Sequence, residues 1–356
     1  MNNEQWKRPK FLPDPLKGAG QKVKGLRVLF AIALAAAIIF VGIYWLRHRP
    51  QQIPTPFVTQ GRLQIYALDV GQGDSALIIT PEGKSVLIDA GPPQAADEVA
   101  AALRKRDVRS LDLAVATHPH ADHIGGMRQV IENFGVKNFL DSGKDYPSME
   151  YKRMQLAIEE KGIKFIPAKK GMKFDLDSGV GLEVLNPQGN DQWITEVRRG
   201  GSVENANSVV LRLGYGNFSM LFTGDAETET EDLMMKSGVP LRAQVLKVGH
   251  HGSRYATSVR FLEAVAPEAA VISCGADNRY GHPARQTLDR LLKAGVKVYR
   301  TDLNGDIAIV TDGNTFEIHP ARQSIQVALA GFDRRFGHQR VFTMALAISR
   351  RPLLAR

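Results

Sequence analysis

Residues 117–126 read Thr117-His118-Pro119-His120-Ala121-Asp122-His123-Ile124-Gly125-Gly126, directly after the apolar run Leu111-Asp112-Leu113-Ala114-Val115-Ala116. The run predicts a strand, and the stretch from Ile124 to about 134 predicts a helix, so the histidines lie in a strand-end loop. Side chains alternate along extended backbone, which turns His118 and His120 to one side. Asp122 and His123, at the turn into the helix, face a neighbouring point. Three imidazoles and one carboxylate within six residues suit one or two divalent metals. The bland alternative, surface or capping histidines, fits a lone histidine better than four ligand-type residues at one strand end.

Two later segments repeat the pattern. Phe218 to Gly224 delivers Asp225, and Leu246 to Gly249 delivers His250 and His251, followed by Gly252 and Ser253. Asp225 reads either as the N-cap of a helix beginning near Glu227 or as a carboxylate able to bridge two metals. Its place between two histidine clusters favours the bridge. Of His250 and His251, one is expected to be a ligand and the other to lie behind it or face substrate.

The chain around these motifs has 356 residues, 44% of them apolar and 23% charged, as in a foldable globular protein. Its single cysteine, Cys274, excludes an intrachain disulfide and a multi-cysteine zinc module. The formal charge of +9 is unevenly placed: residues 1–49 carry +7, residues 321–356 carry +6, and the body from 50 to 320 carries −4. A basic nucleic-acid groove is therefore not what raises the isoelectric point; two basic ends are.

Val28 to Leu46 is 19 residues without a charge. As a helix it would span about 28 Å, close to the hydrocarbon thickness of a bilayer. One transmembrane helix is expected, with a cleaved signal peptide or a buried core helix as rivals. Arg47-His48-Arg49-Pro50 follows it, which is no small-residue cleavage site. Six Lys/Arg flank the amino side (Arg8, Lys10, Lys17, Lys22, Lys24, Arg27) and three the carboxyl side (Arg47, Arg49, Arg62), which places the amino terminus inside and the large domain outside the cytoplasm. The expected organisation is a basic cytoplasmic segment 1–27, the membrane helix 28–46, a proline-containing linker 47–61, a hydrolase domain 62–320, and a basic, mobile tail 321–356. Within the domain, short apolar runs alternate with helical stretches, predicting α/β or α+β layers.

Taken in order, Leu68-Asp69-Val70-Gly71-Gln72-Gly73-Asp74-Ser75, Val86-Leu87-Ile88-Asp89-Ala90-Gly91, the His118 to Gly126 cluster, Leu221-Phe222-Thr223-Gly224-Asp225, Leu246-Lys247-Val248-Gly249-His250-His251-Gly252-Ser253 and Tyr280-Gly281-His282-Pro283 resemble the metallo-β-lactamase fold hydrolases. Within that fold they look most like the extracytoplasmic hydrolase domain of the DNA-uptake competence protein ComEC. The resemblance covers about residues 63–312 and implies an αββα sandwich with the metal site at one edge, between the sheets. ComEC-type proteins also carry a multi-span channel domain, which the single helix here does not match, so a DNA-transport role does not carry over.

The resemblance implies that His118 and His120 hold one metal, and Asp122 and His123 the other, with Asp225 bridging. His250 is the first choice for the late ligand and His251 the alternative. Asp89 is expected behind a ligand histidine, and Asp74 in a similar place. His282 is expected to touch substrate or to give a proton to the leaving group, or else simply to order a helix start. Dinuclear relatives usually place a further histidine between the first cluster and the bridging aspartate, and residues 124–249 contain none. Asn205 or Asn207 would then supply an amide oxygen, favouring manganese over zinc, or only one metal binds tightly.

Two divalent ions, zinc or manganese, are thus the expected cofactors, and hydrolysis by a metal-activated water the expected reaction, with Asp122 and His282 nearest the chemistry. DNA or another phosphodiester is the preferred substrate class. A small ester, thioester or lactam on the same centre, and a non-catalytic anchored binding protein, are the alternatives.

Overall fold

The computed structural model describes residues 61–189 and 192–323. The segments 1–27, 28–46 and most of the linker and tail lie outside them. Among the described residues no helix is long and apolar enough to cross a membrane.

Among the described residues seventeen strands are formed. They are β1 Leu63–Ala67, β2 Ala76–Ile79, β3 Ser85–Ile88, β4 Ser110–Leu111, β5 Leu113–Val115, β6 Gly135–Val136, β7 Asn138–Asp141, β8 Lys164–Pro167 and β9 Lys173–Asp177, followed by β10 Val180–Asn186, β11 Val210–Tyr215, β12 Phe218–Phe222, β13 Val245–Lys247, β14 Ala269–Ile272, β15 Lys297–Arg300, β16 Ile307–Thr311 and β17 Phe316–Pro320. Two mixed sheets result, ordered β17-β16-β1-β2-β3-β5-β7-β8 and β15-β14-β13-β12-β11-β10-β9, with β4 and β6 as a small separate pair.

Alternation along the strands sorts side chains into three apolar layers. Leu63, Ile65, Ile88 and Val115 of the first sheet meet Leu211, Met220, Phe222 and Val245 of the second in the central layer. Leu77, Leu87 and Ala114 face the other way, onto the helices Ala96–Lys105, Met127–Asn133 and Met149–Glu160. Leu221, Leu246 and Ala270 face the helices Thr228–Ser237, Val259–Val265 and Arg285–Lys293. The order of layers is helix, sheet, sheet, helix: the αββα sandwich that the resemblance implied.

From the middle of each sheet out to one edge the strands run parallel, β3-β5-β7-β8 and β12-β13-β14-β15: Ile88 pairs with Val115 across β3 and β5, and Phe222 with Lys247 across β12 and β13. Parallel strands bring their carboxyl ends to one edge, where open α/β sheets place their ligands. Asp89, the loop from Thr117, Asp225 and the His250-His251 pair each leave a strand at that edge.

Candidate metal centre

Each strand end turns sharply into the site. Asp89 takes φ +58° directly after β3, and His250 and His251 take φ +45° and +52° after β13. Such left-handed conformations are uncommon for non-glycine residues and concentrate at functional sites. His120 precedes a one-turn helix, Ala121–Ile124, which sets Asp122 and His123 side by side. Gly73 lets the neighbouring loop approach, since a Cβ there would lie 2.3 Å from the Asp122 carbonyl oxygen. With that space open, the Asp74 N–H donates to the Asp122 carbonyl at 3.1 Å.

The side chains converge on Asp225, which is 1% exposed. Its Oδ2 lies 3.7 Å from His118 Nε2, and His118 Nε2 is 3.0 Å from His120 Nδ1. Its Oδ1 lies 3.3 Å from His123 Nε2 and 3.6 Å from His251 Nε2, while His251 Nε2 is 3.3 Å from Asp122 Oδ2. Among the described residues four groups have metal-ligand spacing, and two of them include Asp74: Asp74, Asp225 and His251, and Asp74, Asp89 and His123. The other two are His118, His120 and Asp225, and Asp122, His123 and His251, and one oxygen of Asp225 faces each of these.

Behind the ligand-type atoms stand acceptors that fix the rings. Asp89 Oδ2 lies 2.8 Å from His123 Nδ1, and the carboxylate also accepts from the Thr117 N–H and hydroxyl. His251 Nδ1 faces the Ser273 carbonyl at 3.0 Å and Asp74 Oδ1 at 3.4 Å. In both rings Nδ1 is engaged and Nε2 points to the centre.

Charge argues for a cation here. Against the cost of burial, His123 and His251 hold Asp225 far below the carboxylate range. Burial opposes charge on His123 and His251 too, yet Asp225 with Asp89 lifts His123 well above its ordinary value, and Asp225 with Asp74 lifts His251 to about 10. The buried carboxylates demand positive charge, and protons on imidazoles supply it in the absence of metal. Four buried atoms here, Asp74 Oδ1, His123 Nε2, Asp225 Oδ1 and His251 Nε2, make no hydrogen bond. Buried polar atoms normally have partners, so this orphaned set fits a divalent ion.

Two expectations from the sequence need correction. His251, not His250, joins Asp122 and His123. His250 is turned aside because Glu227, 2% exposed, takes its Nδ1 at 2.7 Å, leaving Nε2 3.6 Å from Asp225 Oδ2. Asn207 is no ligand candidate: its amide accepts from the Ile194 N–H and donates to the Ile194 and Val203 carbonyls, which consumes it in fastening the segment around Ile194. Asn205 is placed nearer, with Nδ2 3.3 Å from both ring nitrogens of His250.

His282 stacks between Tyr280 and His251, at 5.8 and 6.4 Å. Burial, with His250 and His251 nearby, pushes it down to about 4, which keeps its ring neutral at neutral pH and suits contact better than proton donation. Glu227 and Lys247 were missed in the sequence. The signal for Lys247 was a charged residue inside an otherwise apolar strand.

The sequence profile of the Metallo-beta-lactamase superfamily matches residues 68–276. The chain belongs to this superfamily. Its fold implies a divalent metal, and His/Asp groups able to hold one are present among the described residues. Curated relatives include ComE operon protein 3 of Bacillus subtilis (strain 168), 29% identical over 72% of this chain and 34% of its own length. Competence protein ComA of Neisseria gonorrhoeae is 32% identical over 76% of this chain and 34% of its own. The chain thus spans about a third of the length of these relatives. Among solved structures, Igni18, a metallo hydrolase of Ignicoccus hospitalis, superposes with a TM-score of 0.45 at 17% identity, over 69% of this chain and 98% of that one.

Proposed function

We propose that this superfamily member is a membrane-anchored phosphodiesterase, a nuclease or an enzyme of smaller phosphodiesters, acting outside the cytoplasm with two divalent ions. The observation that carries the reading is Asp225, whose two oxygens face two separate histidine groups 3.3 to 3.7 Å away. Divalent ions bound there would supply an acidified water and would neutralise charge developing on the substrate oxygens. His118, His120 and Asp225 would hold one ion, and Asp122, His123, His251 and Asp225 the other. Asp89 and Ser273 hold the backs of the His123 and His251 rings. His250, steadied by Glu227, and His282 face the partly exposed mouth, where they can contact a leaving group.

The phosphodiester class is favoured by the competence proteins among the relatives and by the rim. Arg279 lies 5.2 Å over the ring of the exposed Tyr280 at one side. At the other, Tyr146 lies 6.2 Å from His120 and lines an open groove of about 580 Å³ with Tyr151, Lys152 and Gln155. The anchor is Val28 to Leu46, and the six-to-three balance of flanking basic residues supports an outside domain.

Turnover of bis-p-nitrophenyl phosphate, a thioester and a β-lactam by the purified chain, before and after chelation, tests the assignment. Chelator-sensitive hydrolysis of the phosphodiester is expected. Cleavage of the thioester or lactam alone would move the substrate class, and no turnover with any of them under metal would leave a binding protein. A reporter active only outside the cytoplasm, fused after Pro320, should be active.

A further inference from the structure

A buried ion pair between Lys247 and Asp74 lies behind the centre. In β13, Val245 packs into the layer between the sheets and Leu246 onto the outer helices. Alternation therefore turns Lys247 inward. Lys247 is 6% exposed, and an ammonium so placed is costly unless paired. Its Nζ meets Asp74 Oδ2 at 2.7 Å and donates to the Val248 carbonyl at 2.8 Å.

Asp74 belongs to the other half of the sandwich, in the loop between β1 and β2. Its N–H holds the Asp122 carbonyl, its own carbonyl accepts from the Gly91 N–H at 2.8 Å, and its second carboxylate oxygen faces His251 Nδ1. The pair thus crosses from one sheet to the other directly behind Asp122, His123 and His251, which themselves come from both. A cavity of about 20 Å³ adjoins it, walled partly by Ile65, Ala67, Met220 and Phe222. Shielded from bulk water, the attraction is screened less than at the surface, so the pair can set a separation rather than merely tolerate one. Among the described residues neither His118 nor His120 bonds to it.

We propose that Lys247 is a positioning residue for the metal centre: through Asp74 it fixes the Asp122 loop against His251 and so sets the divalent-ion affinity of the Asp122–His123–His251 group. The proposal rests on the two-group reading of the centre.

Zinc titration calorimetry and the visible absorption of cobalt-loaded protein test it on the full chain. Lys247→Met combined with Asp74→Asn removes both charges and leaves no unpaired one. This variant is expected to bind one ion as the wild type does and the other 10–100-fold more weakly, a range usual for partners standing behind ligands, with loss of the matching part of the cobalt spectrum. Lys247→Arg keeps the charge but moves it, and should weaken the same ion alone. A purely structural pair would change thermal unfolding without separating the two ions. Either folded variant binding both ions as tightly as wild type, or weakening both equally, overturns the proposal. Wild type that takes up no divalent ion overturns the metal-centre reading itself, and the proposal with it.

Discussion

Asp89 holds His123 from behind: its Oδ2 lies 2.8 Å from Nδ1 of a ring whose Nε2 points at Asp225. Both residues are 0% exposed, so the contact is shielded from bulk solvent. Asp89 adopts φ +58°, a conformation that asparagine also tolerates well. Asp89→Asn should therefore keep the backbone while presenting an amide where a carboxylate stood. Zinc affinity, measured by competition with a chromophoric chelator, is expected to fall about 10–100-fold with the fold retained. Unchanged affinity would show that His123 needs no partner at Nδ1.

The adjacent histidines make a sharper contrast. His251→Ala removes an atom aimed at both Asp122 and Asp225. It should cost one bound metal and at least about 100-fold in turnover, on the scale of losing a group that acts in the transition state. His250→Ala should leave metal content intact and lower turnover by about tenfold, and Glu227→Gln should follow it, since Glu227 holds the His250 ring. Metal analysis by mass spectrometry alongside turnover checks both, and equal metal loss in the two alanine variants would return His250 to the ligand set.

Packing sets a third expectation. A methyl group at position 73 would lie 2.3 Å from the Asp122 carbonyl oxygen and 2.8 Å from the Pro92 ring. The oxygen is backbone and cannot swing away, so the two loops must separate. Gly73→Ala should destabilise the fold by about 1–3 kcal/mol in denaturant unfolding, and should lower metal affinity because Asp122 moves with its carbonyl. Gly71→Ala, where a Cβ meets nothing within 4 Å, keeps the loop open and is the control for the separation of the loops, although its φ of +71° adds its own strain.

Much of this was legible in the sequence because the strands that carry the site are buried on both faces. Leu113–Val115 is wholly apolar and Phe218–Phe222 is broken only by Ser219, and ligand-type residues at their ends stand out. Two edge strands were not found: Lys173–Asp177 alternates charged and apolar residues on an exposed edge, and Lys164–Pro167 is short and ends in proline. The order of His250 and His251 was not legible either. It depends on two successive left-handed residues and on Glu227, which arrives from a helix start with no sequence mark of its purpose. The Asn207 amide likewise reveals its backbone partners only once the segment around Ile194 folds over it.

Glu231 gives the stability of the fold a pH dependence independent of the ligand groups. It is buried on the helix Thr228–Ser237 and accepts from the Thr257 and Ser258 N–H groups at the start of the next helix. Burial, only partly offset by those bonds and by Arg290, pushes its carboxyl up to about 7. In the unfolded chain the group titrates near the ordinary glutamate value of about 4.3. Between these values the folded protein binds more protons than the unfolded one, so the contribution of Glu231 is greatest at low pH and declines as pH rises through about 4 to 7, levelling above. Glu231→Gln cannot ionise and loses this slope, although it shifts stability by a constant through its altered hydrogen bonds. Denaturant midpoints of wild type and variant in metal-free buffer should diverge across that window by an amount on the order of 3 kcal/mol, the variant gaining relative to wild type as pH increases. Parallel curves from pH 5 to 8 would mean that Glu231 titrates as an ordinary surface carboxylate and that its burial carries no electrostatic cost.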